Sequence, residues 1–297
     1  MTDRLLPPGA TASWLQWAGG RVRLLRGGPG TDVGSDRPPV LLIHGGGYDN
    51  AAISWSRVFG PLARDRSVIA PDLPGFGDTE GIEVSGDPDE LADLVVGVAR
   101  STGINRLVVV GLSMGGDIAL RVALRHPEAV AGLILVAPGG LTPRLRNAPT
   151  QLAAWLAARL PDPVLFGLGR VAGRFTDSYL SRMVHDPASV DAAIRTEFGR
   201  EARRPGSGVG YGRYNQATLG PRRMRNNLLP QVSRIAAPTL FLHGVDDPLV
   251  DPIGSRTAAA VMPHAELVLV PDCGHWLPVE RPDVFLAHAN DFLTTLP

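Results

Sequence analysis

The fold is decided by the stretch RLVVVGLSMGGDIAL at residues 106–120. Residues 107–110 are apolar and mostly β-branched, a pattern typical of a strand buried on both faces. From Asp117 onward, apolar residues recur at helical spacing, and Ala and Leu favour a helix until Pro127 ends it. The order is therefore strand, sharp turn and helix, with Ser113 on the turn.

The position of Ser113 predicts a nucleophile. A serine on such a turn projects its hydroxyl above the edge of the sheet, where a base can reach it. Gly111 and Gly115, two residues before and after it, allow the turn without Cβ clashes. The start of the following helix would bring N–H groups and positive dipole to a developing oxyanion. The alternative is a turn that serves only packing, with a serine that has no catalytic role.

Strand and helix patterns alternate along most of the chain, which predicts an α/β fold with a mostly parallel sheet and helices on both faces. The alternation stops over residues 141–232, where only helical patterns occur. An antiparallel hairpin is predicted at 13–26, a loop at 27–38 and a flexible stretch at 206–212. The other predicted strands are 39–43, the apolar run 107–110 before the serine turn, 130–136, 238–242 and 265–270, and residues 67–77 are predicted to be a strand that runs into a turn. The predicted helices are 52–64, 88–100, 117–126, 150–160, 188–204, 253–261 and 281–293.

Three further groups fall at the carboxyl ends of predicted strands, where loops line the ligand crevice of a parallel sheet. His275 follows the last strand and is the candidate base that a serine nucleophile needs. Asp247 follows the preceding strand and is the favoured partner to orient the imidazole, with Asp246 as the alternative. A glycine run at 45–47 follows the strand at 39–43.

Together these residues give the chain a resemblance to the α/β-hydrolase fold family, nearly from end to end. The order Ser, Asp, His is that family's own, and the acid is the fourth residue of its Gly-x-x-Asp turn. The matching motifs are HGGG at 44–47, DLPGFG at 72–77, GLSMGG at 111–116, GVDD at 244–247 and GH at 274–275. The resemblance implies a hydrolase core at residues 1–140 and 233–297 and a helical cap, or lid, inserted at 141–232.

The resemblance also implies an oxyanion hole. Its donors would be the backbone N–H of Met114 and one from the glycine run, Gly46 or Gly47. Glycines suit this role because bare backbone can approach the substrate closely. His44 is expected to be structural. The predicted substrate contacts are Gly45, Leu112 and Trp276.

The first prediction of activity is hydrolysis of a carboxylic ester, or a related acyl bond, of a small to medium, largely apolar substrate through an acyl-enzyme. Ser113 argues against relatives with an Asp nucleophile, such as epoxide hydrolases. The alternative is hydrolysis of carbon–carbon bonds in vinylogous diketones. The chain resembles that subgroup at 44–47, 113–116 and 274–276 and departs at Leu112, where the subgroup usually has Asn. Cofactor-free haloperoxidase-like activity and a non-catalytic ligand-binding role complete the alternatives.

Composition limits the partners. The 297 residues carry no net charge, so nothing global points to nucleic acid. The lone Cys273 excludes an internal disulfide and fits a reducing compartment, and neither a signal-like nor a spanning apolar segment is evident. We therefore expect a cytoplasmic protein with a small-molecule substrate, no cofactor or metal and no stable membrane insertion. A homo-oligomer is left open.

The segment 141–232 is strongly basic, with 14 arginines against six acidic residues. The excess either attracts anionic substrates or reflects a chain in which arginine replaces lysine throughout. A third alternative is a lid that docks on lipid through its arginine-rich face. Five of its aromatic residues either line the substrate pocket or form the core of the cap: Trp155, Phe166, Phe175, Tyr179 and Phe198.

Overall fold

The computed structural model describes residues 4–29 and 37–296. Within these ranges one sheet has the strand order β1-β2-β4-β3-β5-β6-β7-β8. The first two pairings, β1 with β2 and β2 with β4, are antiparallel, and all the others are parallel. The strands are Thr11–Trp17 (β1), Gly20–Gly27 (β2), Val40–Ile43 (β3), Val68–Pro71 (β4), Leu107–Leu112 (β5), Val130–Val136 (β6), Thr239–Gly244 (β7) and Ala265–Val270 (β8). The predicted fold class is confirmed.

Helices connect the parallel strands and cover both faces of the sheet. They are Ala51–Ser54 (α1), Phe59–Leu62 (α2), Pro88–Ser101 (α3), Met114–Arg125 (α4), Ala148–Ala158 (α5), Asp162–Ala172 (α6), Thr176–Met183 (α7), Ala192–Arg203 (α8), Val209–Thr218 (α9), Ile253–Val261 (α10), Leu277–Glu280 (α11) and Pro282–Thr295 (α12). None of the helices in the described residues is long and apolar enough to cross a bilayer. Residues 1–3 and residues 30–36 of the predicted loop lie outside the described ranges.

The core lies on both sides of the central strands, as their continuous apolar sequence predicts. All residues of β5, β6 and β7 are buried. Val110 and Trp55 belong to the apolar cluster on one face, whereas the neighbouring Val109 belongs with Ile118 of α4 to the cluster on the other. A strand covered on both faces places its loops, and not its side chains, at the functional edge.

The single helix predicted at 52–64 is wrong, since α1 and α2 are separate short helices. Asn50 caps α1 by accepting a hydrogen bond from the Ile53 N–H at 3.0 Å. The Ser56 hydroxyl then donates to the carbonyl of Ile53 at 3.1 Å. Serine side chains that bond to nearby backbone in this way compete with the helix, and the chain turns before α2 begins.

Two boundaries in the 141–232 segment also differ from the prediction. The helix predicted at 188–204 begins at Ala192, because the Asp191 carboxylate caps it by accepting from the Ile194 N–H at 2.9 Å. The stretch predicted to be flexible at 206–212 includes the start of α9. Gly208 precedes that helix at φ +78°, a conformation that glycine adopts without strain.

The segment 141–232 contains α5–α9 and none of the eight strands, in agreement with the break in the sequence pattern. Buried acids attach it to the rest of the molecule. Glu201 on α8 accepts a hydrogen bond from the Gly77 N–H at 3.1 Å. Asp117 on α4 accepts from the Tyr214 hydroxyl and the Asn226 amide, both at 2.7 Å. The division into a core and a cap domain remains a prediction.

Candidate active site

Ser113 sits at a strained turn between β5 and α4, with φ +55° and ψ −114°. Positive φ in a residue with a side chain costs energy and is typical of functional positions. Its N–H donates to the Val136 carbonyl at 2.9 Å, which fixes the turn against β6. A Cβ on Gly115 would lie 2.2 Å from the carbonyl oxygen of Ile43. Glycine is therefore required where α4 passes the end of β3.

Asp247 and His275 meet beside this turn. The His275 Nδ1 lies 2.7 Å from the Asp247 Oδ2, and both side chains are buried. The other carboxylate oxygen of Asp247 accepts from the Leu249 and Val250 N–H groups at 2.8 and 2.9 Å. Because a carboxylate faces Nδ1, that nitrogen carries the proton, and Nε2 keeps the lone pair that a general base needs.

Asp246, the alternative acid, points elsewhere. It is exposed, and its Oδ2 lies 3.3 Å from Nδ1 of His185. The geometry thus favours Asp247 as the partner of His275.

The pKa of Asp247 lies below its ordinary value. Burial alone would raise it, but the imidazole of His275 and hydrogen bonds from His243, His275 and the Val250 N–H outweigh burial. His243 Nε2 lies 2.9 Å from the Val250 carbonyl and 3.2 Å from Asp247 Oδ2. Both are acceptors, so this nitrogen is protonated. Asp247 is therefore ionised at neutral pH, as a partner for an imidazolium must be.

Ser113 and His275 line one narrow cavity of about 30 Å³. That volume holds roughly two water molecules. Among the described residues the Ser113 hydroxyl has no hydrogen-bond partner, so the contact with His275 is not closed in this structure. The cavity is also lined by Gly45, Gly46, Asp49, Leu112, Tyr179, Met183, Tyr211, Leu249 and Trp276. Two larger surface grooves, of about 410 and 390 Å³, lie beside Arg4 and α8 and contain none of the predicted catalytic residues.

The predicted oxyanion donors lie at this cavity or beside it. Met114 begins α4, so its N–H has no acceptor within the helix. Over residues 4–29 and 37–296, neither Met114 nor Gly46 nor Gly47 donates its N–H to another group. The Gly45 N–H is different, because it donates to Asp49 Oδ2 at 3.0 Å. Gly47 has φ +80°, which favours glycine at that position.

The predicted substrate contacts Gly45, Leu112 and Trp276 all line the cavity. Of the five aromatic residues singled out in the 141–232 segment, only Tyr179 lines the cavity. Tyr211, which was not among those five, also lines it. Phe198 is buried and packs against the rings of Tyr179 and Trp276. This position agrees with the alternative that it is a core residue.

The sequence model of the alpha/beta hydrolase fold family matches residues 38–282. The chain belongs to this family. It is 31% identical over 266 residues to the 2-hydroxymuconate semialdehyde hydrolase of Pseudomonas sp. (strain CF600), which covers 86% of each chain. It is 30% identical over 273 residues to the 2-hydroxy-6-oxo-6-phenylhexa-2,4-dienoate hydrolase of Burkholderia cepacia, covering 86% of this chain and 87% of that one. Among solved structures, a membrane phospholipase A described as a bacterial virulence factor superposes with a TM-score of 0.78 at 29% identity, covering 97% of this chain and 86% of that one.

Two acidic residues that shape the site in this hydrolase were also not identified from the sequence. Glu280, five residues after His275, accepts hydrogen bonds from the N–H groups of Gly274, Trp276 and His185 at 3.0, 3.0 and 2.7 Å. It holds the loop that carries the imidazole. The only signal in the sequence is an acidic residue close after the histidine, and that signal is weak.

Asp49 is the second such residue. Its carboxyl group is buried and accepts from the Gly45 N–H, the Asn50 N–H and the Ser54 hydroxyl. Burial raises the pKa of Asp49 to about 7, although these hydrogen bonds and the nearby Glu201 charge modify the effect in opposite directions. An ionisable group therefore lines the cavity with the predicted nucleophile Ser113, on the loop of the predicted oxyanion hole.

One group of side chains in the described residues is close enough together to share a metal ion. The ligand atoms of His185, Asp246 and Asp272 lie within 4.8 Å of one another, and all three residues are exposed. Such exposed groups are common without a metal. The predicted lack of a cofactor, a metal and a nucleic-acid partner stays a prediction, as do the cytoplasmic location and the oligomeric state.

Proposed function

We propose that this hydrolase acts through Ser113, His275 and Asp247 with an acyl-enzyme intermediate. The observation that carries the proposal is the 2.7 Å contact between buried Asp247 and His275, at a cavity that Ser113 also lines. Nε2 of His275 takes the proton as the Ser113 hydroxyl attacks a carbonyl carbon. The ionised Asp247 stabilises the imidazolium that results.

The remaining steps use the backbone groups at the cavity. The N–H groups of Met114 and Gly46, which have no other acceptor in the described part of the chain, would bind the oxyanion. The imidazolium returns its proton to the leaving group, and a water molecule activated by the same imidazole then releases the acid and restores Ser113. This cycle consumes one water per bond.

The first candidate substrate is a conjugated enol ketone whose carbon–carbon bond is hydrolysed. The names of two relatives, each covering 86% of this chain at 30–31% identity, support it. A hydroxy-oxo-dienoate contains no ester or amide, so a hydrolase that acts on it must break a carbon–carbon bond. The enol first tautomerises to the dioxo form, as its hydroxyl proton moves to the carbon next to the ketone. That carbon then leaves as the end of a conjugated enolate, which takes the proton from His275. These relatives favour this alternative over the ester prediction.

The second candidate is an uncharged carboxylic ester, which two features of the cavity favour. Leu112 stands where the carbon–carbon hydrolases usually have Asn and therefore offers no polar contact. In the described residues, no arginine lines the cavity, and Asp49 contributes a negative charge when ionised. A dienoate carboxylate would find no cationic partner there apart from a protonated His275, whereas a neutral ester needs none.

Steady-state kinetics with two substrates tests both candidates. We expect 2-hydroxy-6-oxo-6-phenylhexa-2,4-dienoate to be turned over with a kcat/KM at least about 100-fold above that for p-nitrophenyl butyrate. Ser113→Ala should lower kcat by roughly 10³-fold or more on the preferred substrate. Ser101→Ala, at the end of α3, is the matched control and should change kcat less than about twofold.

The outcomes separate the candidates. Preference for the butyrate ester, with the same loss in Ser113→Ala, selects the second candidate. Full activity of Ser113→Ala contradicts the serine mechanism. If neither substrate is turned over and a fluorophosphonate probe does not label Ser113, the chain is a ligand-binding member of the family.

A further inference from the structure

The outer side of α5 is apolar and exposed. Helix α5 carries no charged residue at all. Leu152, Leu156 and Leu160, which follow one another at intervals of four, are 36–53% exposed. Residues four apart lie on one side of a helix, so Leu152 and Leu156 share one side of α5, and Leu160 follows two residues after the end of the helix. The opposite side of α5 carries the buried Gln151 and Ala158.

Helix α6 continues this pattern after a short turn. Val164, Leu168 and Val171 follow at intervals of four and three and are 48–56% exposed, and Phe175 beyond them is 64% exposed. These seven side chains are called the apolar face below. A soluble monomer seldom exposes so many large apolar side chains on consecutive helices, and such surfaces mark interaction sites.

Unpaired arginines border the apolar face. Arg144 and Arg146 precede α5, Arg159 lies in the turn between the helices, and Arg174 lies next to Phe175. All four are exposed, and within the described ranges none has an acidic partner. The only cation–π contact among them joins Arg159 to the Trp155 ring.

The acidic residues nearby in sequence are already paired. Asp162 lies 2.5 Å from a guanidinium nitrogen of Arg213. Asp177 lies 3.5 Å from Arg195. The border of the apolar face is therefore positively charged.

We propose that the apolar face docks on an anionic lipid surface. Interfacial helices combine exposed apolar side chains with flanking arginines, which contact the acyl boundary and the anionic headgroups respectively. A second copy of this chain is a poorer occupant, because it would place the same arginine border against itself. This docking is peripheral, and it goes beyond the proposed hydrolysis.

The docked orientation would place the catalytic cavity next to the lipid. The Tyr48 hydroxyl, at the end of the glycine run, donates to the Gly169 carbonyl of α6 at 2.5 Å. Tyr179, one helical turn beyond Phe175, is partly exposed and also lines the cavity with Ser113. An apolar substrate dissolved in the lipid would thus meet the side of the protein that covers the nucleophile.

Vesicle flotation tests the proposal. The full-length protein is mixed with vesicles of phosphatidylglycerol and phosphatidylcholine, or of phosphatidylcholine alone, at low and high salt. We expect it to float with the anionic vesicles at low salt, with at least about fivefold less bound to neutral vesicles or at high salt. Leu156→Asp/Leu168→Asp should lower the partition coefficient at least about 20-fold, and Arg159→Gln/Arg174→Gln about 10-fold.

The matched control is Val261→Asp/Arg256→Gln on α10, which changes an exposed apolar residue and an exposed arginine far from this face in sequence. It should bind vesicles within about twofold of the wild type. Circular dichroism melts verify that each variant is folded, and turnover of a soluble substrate should be unchanged in all of them. Failure of docking is therefore distinct from failure of the catalytic proposal.

Three results would overturn the proposal. The first is no flotation with anionic vesicles, and the second is equal loss of binding in the α10 control. The third is a dimer, measured by light scattering, that Leu156→Asp/Leu168→Asp dissociates while vesicle binding is absent. That third result would assign the apolar face to self-association.

Discussion

Asp49 carries a carboxyl group whose protonation should couple stability to pH. Its pKa in the folded protein is about 7, above the ordinary value of 3.8. The folded state therefore holds this proton more tightly than the unfolded state does. The contribution of Asp49 to the free energy of unfolding is greatest below pH 4 and declines as the pH rises to about 7. The decline is on the order of 4 kcal/mol, since each pKa unit corresponds to about 1.4 kcal/mol.

Asp49→Asn removes this titration because the amide is uncharged at every pH. We expect the difference in unfolding free energy between pH 5 and pH 8 to shrink in the variant by about 2 kcal/mol or more. Urea unfolding at the two pH values measures it. Asp291→Asn, an exposed residue on α12, is the control. Equal pH dependence in wild type and Asp49→Asn would contradict the assignment.

Adjacent acids provide a second test at the scale of the residue. Asp247→Asn should lower kcat by about 10³- to 10⁴-fold, because an amide does not stabilise an imidazolium and favours the wrong tautomer of His275. Asp246→Asn should change kcat less than about threefold, since Asp246 is exposed and lies beside His185. Comparable losses in both variants would argue against Asp247 as the orienting acid.

Residue types and their order along the chain were enough to select Ser113, Asp247 and His275 as candidates. Asp49 and Glu280 were not predictable in the same way. Each acts by accepting hydrogen bonds from backbone N–H groups of loops, and a sequence does not reveal which N–H groups a loop turns inward. The sequence therefore revealed the chemistry of individual side chains but not the conformation of the loops.

At the scale of the element, the turn before α4 depends on a close backbone approach. A Cβ at position 115 would lie 2.2 and 2.6 Å from the carbonyl oxygens of Ile43 and His44. Backbone at the end of a central strand cannot easily move. Gly115→Ala should therefore destabilise the protein by about 2 kcal/mol or more and reduce kcat.

Gly167 in α6 is the matched control, because nothing lies within 4 Å of its virtual Cβ. Gly167→Ala should leave stability unchanged or raise it by up to about 1 kcal/mol through helix propensity. Thermal melts and kinetics of both variants measure the contrast. An equal loss in the two variants would show that the turn has no special requirement for glycine.

Buried strands were the elements best predicted, because their apolar sequence reflects burial on both faces. The strand predicted at 130–136 coincides with β6, in which every residue is buried. Helix ends were less predictable. Single side-chain hydrogen bonds set these ends. Those of Asn50 and Ser56 separate α1 from α2, and that of Asp191 places the start of α8 later than predicted. The apolar periodicity continues across these positions and does not reveal them.

At the scale of the whole molecule, Glu201 connects α8 to the core. It accepts hydrogen bonds from Gly77 at 3.1 Å and from Arg204 at 2.6 Å, and the buried side chain of Asn50 lies 3.4 Å away. Glu201→Ala leaves these donors unsatisfied, which should lower the unfolding free energy by about 2 kcal/mol. Amide exchange should accelerate in α8 while β5 and β6 stay protected.

Glu90→Ala, on the exposed side of α3, is the control and should leave exchange in α8 unchanged. Exchange that accelerates uniformly over the molecule would mean that the 141–232 segment does not loosen as a unit. Mass-spectrometric peptide mapping distinguishes the two patterns.

The location of this segment was predictable because alternation of strand and helix simply stops there. The way it packs was not. The sequence showed amphipathic and apolar helices, but which side of α5 and α6 would remain uncovered depends on how each helix packs against the rest of the fold. Charge counts indicated an arginine excess without placing any arginine beside an apolar stripe.

The backbone N–H of His275 donates to the carbonyl of Met183 at 2.8 Å, and a Cβ on Gly274 would lie 2.7 Å from the backbone nitrogen of His185. The residues next to the imidazole thus share a direct bond with the inserted helices. An outward movement of those helices that admits a substrate larger than two water molecules must lengthen the hydrogen bond between His275 and Met183 or move the imidazole along with the helices. Substrate entry and proton transfer are in that sense coupled. His275 would reach its catalytic position only after the inserted helices have closed over the bound substrate.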